Sequence, residues 1–319
     1  MDVLSDVLRG IRLEGTLFLH AEFCEPWCVQ APDGAHLAAL LPTGAERIGV
    51  CHLVLEGRCW VGMPDGQALA LGPGDVVVFP HGHAHLLGSG LNHAPVTLDH
   101  LVQPRLPDLT RIRYGGAGAP VRVVCGWFAY ERNLVHPLID SLPSVFRTPV
   151  GERPCGPWLT ESVRCVLQGV AAGDAGSHAV AAKVAEILFI EALRGHIEAL
   201  PAHQSGWLAG LRDPQVSRCL ALLHAQPARE WSLADLARET GVSRSVLAER
   251  FRQLVGVAPM QYLVRWRMML AARLLREPGS TLIRVSEAVG YTSESAFHRA
   301  FKRAHGVAPG KWRRHARVT

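Results

Sequence analysis

The chain has 319 residues, of which 48% are hydrophobic and 19% are charged, a composition typical of a soluble globular protein with two or three domains. Its apolar runs fall short of the roughly 18 residues of a membrane span, and the acids and Arg near its N-terminus exclude a signal peptide, so we expect a cytoplasmic protein with no membrane partner. The net charge of +5 is unevenly divided, since residues 207–319 carry 19 Lys and Arg against 8 Asp and Glu, and only this C-terminal part is expected to meet a polyanion.

Residues 1–133 are predicted to form an all-β first domain. Short apolar runs alternate there with Gly- and Pro-containing turns such as PDG and GPGD, which is typical of strands. The clearest runs are residues 51–55, 59–62, 68–71 and 75–80.

The last of these runs leads into the segment GDVVVFPHGHAH, residues 74–85. This segment resembles the second sequence motif of cupins, with matches at Gly74, Pro80, Gly82 and His85. The resemblance implies a cupin-like β-barrel, whose mouth is a common place for a small-molecule effector.

In metal-binding cupins this His joins two His and one Glu from a first motif. If Gly57 ends that first motif, its ligand positions fall on Gly44, Glu46 and Val50, and only Glu46 among them is a metal ligand. A cupin dioxygenase or isomerase is therefore disfavoured, and we expect that the chain is not an enzyme. A cupin metalloenzyme with a DNA-binding appendage remains the alternative.

His52 is the other polar residue of interest in the predicted barrel. It has the strand parity of Val50 and is predicted to point inward, near His85. A neutral His pair inside a barrel is more often a core or ligand contact than a metal site.

Residues 134–205 are predicted to form a helical connector. Residues 160–169 and 177–200 have helical spacing, with Val180, Val184, Leu188 and Ala192 on one apolar stripe. The stripe is either intramolecular core or a dimer interface. We expect a homodimer, since two DNA-binding heads multiply a modest affinity.

Residues 206–319 are predicted to be entirely helical and to contain a helix-turn-helix. Ser232 caps a helix with Asp235 at its third position, Gly241 ends that helix, and Ser243 caps the next one. The inner face of the second helix is predicted to hold Val246, Leu247, the stem of Arg250, and Phe251.

The same plan recurs in residues 282–301, with a Gly290-Tyr291 turn and Ser293 as the cap. Each copy ends in a closely similar segment, FRQLVGVAP at 251–259 and FKRAHGVAP at 301–309. An internal repeat this literal makes coincidence improbable. The Arg-rich helix predicted between the copies would hold them at a fixed separation.

These residues resemble the AraC/XylS family of bacterial transcription regulators. The shared positions span residues 233–314 and include Leu236, Ala237, Gly241, Leu247, Phe251, Gly256, Pro259, Tyr262, Arg267, Gly290, Tyr291, Phe297, Phe301, Gly306, Pro309 and Trp312. Two departures are Val285-Ser286, where the family often has Ile-Ala, and Trp312, where it usually has Tyr. The resemblance implies a sequence-specific regulator that binds double-stranded DNA and works with RNA polymerase.

Two recognition helices on one subdomain are expected to enter successive major-groove segments about 34 Å apart. The positions predicted to face DNA are Arg244, Ser245, Ala248, Glu249, Arg252, Glu294, Ser295, His298, Arg299 and Lys302. Arg299 is the best candidate for a bidentate contact to guanine.

Within this family, the N-terminal half resembles the subgroup that includes reactive-chlorine-responsive regulators. In that subgroup, cysteines at what look like the positions of Cys24 and Cys125 respond to oxidation. Three interpretations of Cys24 and Cys125 stay open. They form a redox pair, they are thiolates that join His52 and His85 as ligands of Zn²⁺, or they are apolar residues of the barrel. No cofactor is assigned, and Zn²⁺ is the one candidate.

The sequence as a whole thus predicts an α+β protein. Its parts are a cupin-like sensor barrel at 1–133, a helical connector and dimerisation segment at 134–205, and an all-α head with two helix-turn-helix units at 206–319. The identity of the effector, the operator, and activation versus repression are not predicted.

Overall fold

The computed structural model describes residues 3–10, 14–41, 48–102, 109–129, 137–201 and 206–315. The chain divides into two compact units. The first, here called the β unit, holds Arg12–Arg132 and Leu142–Ala199. The second, the helical unit, holds Met1–Ile11, Asn133–Ser141 and Leu200–Thr319. The predicted boundaries at 133 and 205 fall outside the described residues.

The β unit is built from two sheets, and its strands include all four of the predicted apolar runs. The strands are β1 (Glu14–Cys24), β2 (Cys28–Ala31), β3 (Ile48–Glu56), β4 (Cys59–Gly62), β5 (Ala68–Leu71), β6 (Asp75–Phe79), β7 (His85–Gly88), β8 (Val96–Thr97), β9 (Thr110–Gly115), β10 (Pro120–Ala129) and β11 (Phe146–Pro149). Among the described residues, one sheet has the order β11-β6-β3-β10-β1-β9 and the other the order β5-β4-β7-β2-β8.

Alternate side chains from both sheets fill a common core. In β10 the odd-numbered residues from Val121 to Ala129 belong to this core, while Phe128 faces the other way. Because successive strand residues point to opposite faces, a single shift in register would exchange these two sets. The β-rich unit with an apolar interior confirms the fold class that the sequence predicts.

The helices of the chain follow the same numbering from the N-terminus. They are α1 (Val3–Gly10), α2 (Gly34–Leu40), α3 (Pro137–Asp140), α4 (Gly156–Ala172), α5 (Ser177–Ala199), α6 (Trp207–Gly210), α7 (Pro214–Ala225), α8 (Leu233–Thr240), α9 (Arg244–Val255), α10 (Pro259–Leu274), α11 (Leu282–Ala288), α12 (Glu294–His305) and α13 (Pro309–His315). Within the described residues, no helix combines the length and the apolarity needed to cross a bilayer.

Helix α5 covers the outer face of the larger sheet, and α4 packs against α5. Phe189 of α5 lies 4.2 Å from Phe128 of β10, measured between ring centroids. The hydroxyl of Thr148 in β11 donates a 2.8 Å hydrogen bond to the carbonyl oxygen of Ala192. The apolar stripe of α5 is therefore intramolecular core at Leu188 and Ala192, whereas Val180 is 53% exposed. A dimerisation role for these helices stays a prediction.

The helical unit contains α6–α13, with a hydrophobic core that includes Met268, Phe297, Phe301 and Trp312, and it also contains the N-terminal helix. Helix α1 packs against α7 and α10 through Val3 and Val7, which are 4% and 0% exposed. Helix α3 packs against α6 in the same unit. Segments on either side of β1–β10 thus share a compact unit with residues 200–319.

Candidate nucleic-acid interface and sensor site

The first helix-turn-helix consists of α8 and α9, and its ends carry the predicted caps. Both hydrogen bonds of the Ser232–Asp235 capping box are present, which satisfies amide groups that the first turn leaves unpaired. Gly241 has φ of 72°, a left-handed conformation that an L side chain rarely adopts. Ser243 then caps α9 by accepting from the amide of Val246.

The second helix-turn-helix, α11 and α12, repeats this construction. Ser293 caps α12 by accepting from the amide of Ala296, and Phe297 and Phe301 are fully buried. Ser286 stands where the family often has Ala. It is buried but donates a 2.8 Å hydrogen bond to the carbonyl oxygen of Ile283, so the substitution leaves no unpaired hydroxyl.

The residues predicted to face DNA lie on the outer surfaces of α9 and α12. Ala248 is half-buried and the others are exposed, namely Arg244, Ser245, Glu249, Arg252, Glu294, Ser295, His298, Arg299 and Lys302. The carboxylate of Glu249 accepts a 2.9 Å hydrogen bond from the side-chain amide of Gln253, one turn further along α9. The assignment of individual base contacts to these residues stays a prediction.

The prediction for Val246 is wrong. It was expected on the inner face of α9, but its side chain is 49% exposed and borders an open groove. An α-helix turns by about 100° per residue, so Val246 lies away from the buried direction set by Leu247 and Phe251. Arg250, on the same groove, forms a 2.5 Å ion pair with Asp213 at the start of α7.

In the β unit, three of the predicted sensor residues lie together in the core. Cys125 of β10 and His52 of β3 are cross-strand partners, and the Cys125 sulfur lies 2.9 Å from Nδ1 of His52. Nε2 of His52 lies 2.7 Å from Nε2 of His85 in β7. We call these three residues the thiol–imidazole chain.

A backbone carbonyl group determines the direction of each hydrogen bond in the thiol–imidazole chain. Nδ1 of His85 lies 2.9 Å from the carbonyl oxygen of His83, so it must carry the hydrogen. In a neutral ring Nε2 of His85 is then an acceptor, and it receives the hydrogen of His52 Nε2. Nδ1 of His52 is left as an acceptor for the thiol hydrogen of Cys125.

Burial keeps all three groups neutral. It lowers the pKa of His85 to about 4 and that of His52 well below its usual value, because an imidazolium loses its hydration inside the protein. The nearby His85 lowers the pKa of His52 further. Burial likewise raises the pKa of the Cys125 thiol well above its usual value. The Phe79 ring stacks on His85 at 3.6 Å and helps to exclude water.

Cys24 does not belong to this cluster. Leu19 is the β1 residue opposite Cys125, and Cys24 lies five positions further along, opposite Pro120. At about 3.3 Å per residue the separation is roughly 16 Å, beyond the reach of a direct disulfide. All eight cysteines, each within the described residues, are free.

Cys59 is a residue that sequence reasoning missed. It lies in β4, in the same apolar core as Cys125, where burial, then Cys51 and then Cys59 raise the pKa of the Cys125 thiol. No sequence spacing signals this, because β4 and β10 belong to different sheets whose side chains share one core.

The residues named for Zn²⁺ are not arranged around one point. His52 uses its two nitrogens on different partners, and Cys24 lies elsewhere. The described part of the chain contains no group of three or more His, Cys, Asp or Glu side chains in an arrangement that could hold a metal ion. Glu46, the remaining first-motif candidate, lies outside the described residues.

Comparison with known proteins agrees with this architecture. A cupin family model matches residues 2–198, and a helix-turn-helix domain model matches residues 236–315. A putative AraC-like transcription regulator of Streptomyces lividans is 35% identical over 317 residues, 99% of each chain. The RCS-specific HTH-type transcriptional activator RclR of Escherichia coli K12 is 26% identical over 320 residues, again 99% of each chain. The DNA-binding domain of AdpA in complex with a target DNA matches 33% of this chain and 95% of its own, with 29% identity and a TM-score of 0.32.

A cupin domain and two capped helix-turn-helix units define a DNA-binding transcription regulator. The chain belongs to the AraC family, among the members whose N-terminal domain is a cupin.

Proposed function

We propose that this AraC-type regulator senses an oxidant through the Cys125 thiol and converts its oxidation into a change in operator binding. The observation that carries the proposal is the 2.9 Å contact between the Cys125 sulfur and Nδ1 of His52. A thiol reacts as its thiolate, and a neutral imidazole acceptor is the base that can take its proton. The relative named as an RCS-specific activator supports an oxidising signal.

The reaction begins when the Cys125 proton moves to Nδ1 of His52. The thiolate attacks the chlorine of hypochlorous acid, a small neutral oxidant, and an S–Cl bond forms as the Cl–O bond breaks. The departing hydroxide takes the proton back from His52 and becomes water, so sulfur is oxidised and chlorine reduced. Water then displaces chloride to give a sulfenic acid and HCl. His85 accepts a hydrogen bond from Nε2 of His52 and so stabilises the transient His52 imidazolium.

The test uses the full-length protein and an operator selected from random DNA by the reduced wild type. Operator affinity is measured before oxidation, after hypochlorous acid, and after a thiol reductant. The wild type is expected to change affinity reversibly, and Cys125→Ser to be insensitive. Hydrogen peroxide is expected to act more slowly than hypochlorous acid, because burial leaves little thiolate at Cys125 and peroxide is the weaker electrophile.

Matched controls are Cys24→Ser, on the rim of the β unit, and Cys219→Ser, buried in α7. Both are expected to respond like the wild type. A response that survives in Cys125→Ser and disappears in Cys24→Ser would overturn the proposal.

A small ligand in the β unit is the second candidate signal. The indole N–H groups of Trp27 and Trp127 are buried, and neither donates a hydrogen bond to any described residue. A ligand with an acceptor group would satisfy them. A rise in melting temperature with candidate ligands, together with an oxidant-insensitive operator affinity, would favour this function. Iron or manganese in the purified protein would instead favour the rival cupin enzyme.

We also infer that the regulator acts as a cytoplasmic homodimer that contacts RNA polymerase. Two heads on one operator raise the effective concentration of the second head once the first has bound. Light scattering on the purified protein measures the oligomeric state. Transcription from the selected operator with purified polymerase shows whether the protein activates or represses.

A further inference from the structure

The two helix-turn-helix units contact each other away from their recognition helices. The contact joins the loop at residues 226–231, which enters the first unit at α8, to the Gly290-Tyr291 turn, which leads into the second recognition helix, α12. Arg267 lies between them on α10, the helix that connects the two units.

Arg267 binds both sides of this contact. Its Nε donates a 2.6 Å hydrogen bond to the carbonyl oxygen of Pro227, and its Nη2 donates a 2.9 Å hydrogen bond to that of Arg229. The guanidinium carbon lies 5.8 Å from the ring centre of Tyr291, within range of a cation–π interaction. The planar fork of Arg suits two carbonyl oxygens at once, which a Lys ammonium on a single stem does not.

The backbones of the two segments also touch directly. A Cβ added to Gly290 would lie 2.6 Å from the carbonyl oxygen of Ala228 and 2.7 Å from its Cα. A Cβ added to Gly241, the turn glycine of the first unit, would meet no other described residue within 4 Å beyond its own turn. The two turns are therefore not equivalent, since the second is pressed against a distant loop and the first has no such neighbour among the described residues.

The loop at 226–231 is itself tightly held. The indole of Trp231 donates a 3.1 Å hydrogen bond to the carbonyl oxygen of Gln226, and the guanidinium of Arg229 lies 3.8 Å from the Trp231 ring. Because the loop and the turn are each held by their own contacts, the contact between them can fix the orientation of one helix-turn-helix unit relative to the other.

We propose that Arg267 is a positioning residue that fixes the separation and angle of the two recognition helices, and so determines which spacing of the two DNA boxes the protein accepts. The proposal requires that both recognition helices engage DNA, as expected for this head. It does not depend on how the β unit senses its signal.

The experiment measures operator affinity of the full chain, under reducing conditions, by fluorescence anisotropy. The DNAs are the selected two-box operator, each box alone with the other scrambled, and two-box operators with a base pair inserted or removed between the boxes. The variants are Arg267→Met and Arg267→Lys. The matched control is Arg265→Met, which removes the same charge from an exposed position on the same helix.

Arg267→Met is expected to lower the ratio of two-box to single-box affinity by about tenfold, because the second helix loses its preset position. It should bind each single box as the wild type does and tolerate altered spacing better. Arg267→Lys should lie between the two, and Arg265→Met should leave the ratio unchanged even if it weakens all binding.

Three outcomes would overturn the proposal. One is an unchanged ratio and spacing preference in Arg267→Met. Another is a parallel loss of single-box and two-box affinity, which would make Arg267 a general contributor to DNA binding. The third is loss of the cooperative unfolding transition in both Arg267 variants, which would make the residue a part of the core.

Discussion

Cys125, His52 and His85 are each at most 4% exposed, and burial disfavours every charged form that they can take. The hydrogen bonds of the thiol–imidazole chain satisfy each polar atom while all three groups are neutral. Under the proposed function, the proton that moves from Cys125 to His52 would convert two neutral groups into an ion pair, which burial disfavours at rest.

Acidification is expected to destabilise the β unit through His85. An exposed His binds a proton near pH 6.5, whereas the folded protein holds the pKa of His85 at about 4. The unfolded chain therefore binds more protons between these values, so the stabilising contribution is complete above about pH 6.5 and is lost as the pH falls toward about 4.

Urea unfolding at neutral pH and at about pH 5 measures this effect. His85→Asn should reduce the difference between the two midpoints, while the exposed His178→Asn should leave it as in the wild type. Equal pH dependence in wild type and His85→Asn would contradict the assignment.

On the DNA-binding surface, Arg299 projects from α12 without burial. Arg299→Ala is expected to cost about 1–3 kcal/mol of binding free energy and to relax the preference at one base pair, as loss of a bidentate guanine contact would. Affinities for operators substituted at each position measure both effects. Lys302→Ala is the comparison, and uniform weakening with a lower salt dependence is expected of a phosphate contact. Uniform weakening by Arg299→Ala as well would contradict base readout.

At the scale of elements, the recognition helices of the two helix-turn-helix units share a Ser cap and a buried Phe, but the units differ at their turns. Gly241 and Gly290 both have positive φ, at 72° and 79°. A Cβ at Gly241 would meet no described residue outside its own turn within 4 Å, whereas the Ala228 backbone occupies the corresponding space at Gly290.

Gly290→Ala is therefore expected to be more destabilising than Gly241→Ala. Each places a side chain in the left-handed region, at a cost of about 1–2 kcal/mol. Gly290→Ala must also displace backbone atoms 2.6–2.9 Å from the new Cβ. Urea unfolding of both variants compares their free energies of unfolding. Equal losses would show that the contact with the 226–231 loop yields readily.

At the scale of the whole molecule, the chain enters the helical unit more than once. Met1–Ile11 and Asn133–Ser141 lie in the same compact unit as Leu200–Thr319. Helix α1 takes part through Val7, which is fully buried against its neighbours. The helical unit consequently includes a segment before β1 and a segment between β10 and β11, in addition to the repeat that reads DNA.

Val7→Asp is expected to destabilise the helical unit by a few kcal/mol, because an unpaired carboxylate would be buried. Val7→Ala should cost less, since it removes only methyl groups. Limited proteolysis with mass spectrometry would locate the newly exposed sites. Cleavage confined to residues 1–11, with residues 206–315 still protected, would show that α1 does not support the unit.

Local features followed directly from the sequence. The caps at Ser232, Ser243 and Ser293 and the turn glycines are present, because each depends on neighbours within a few residues along the chain. The predicted runs at 59–62 and 68–71 match β4 and β5, since strand periodicity and turn residues are also local signals. The prediction for Val246 was wrong because the sequence of a short helix does not show which of its faces will be buried until the neighbouring elements are known.

By itself, the sequence determined the family, the fold class and the repeated DNA-reading plan, all of which depend on local patterns and on motif spacing. The tertiary structure decided what depends on strand register and on docking between distant segments. It brought Cys125 to His52, separated both from Cys24, and placed Arg267 between the two helix-turn-helix units. The Cys125–His52 contact joins residues 73 positions apart, and Arg267 reaches Pro227 across 40 positions. No local pattern records these contacts, because they arise only when the sheets and helices pack.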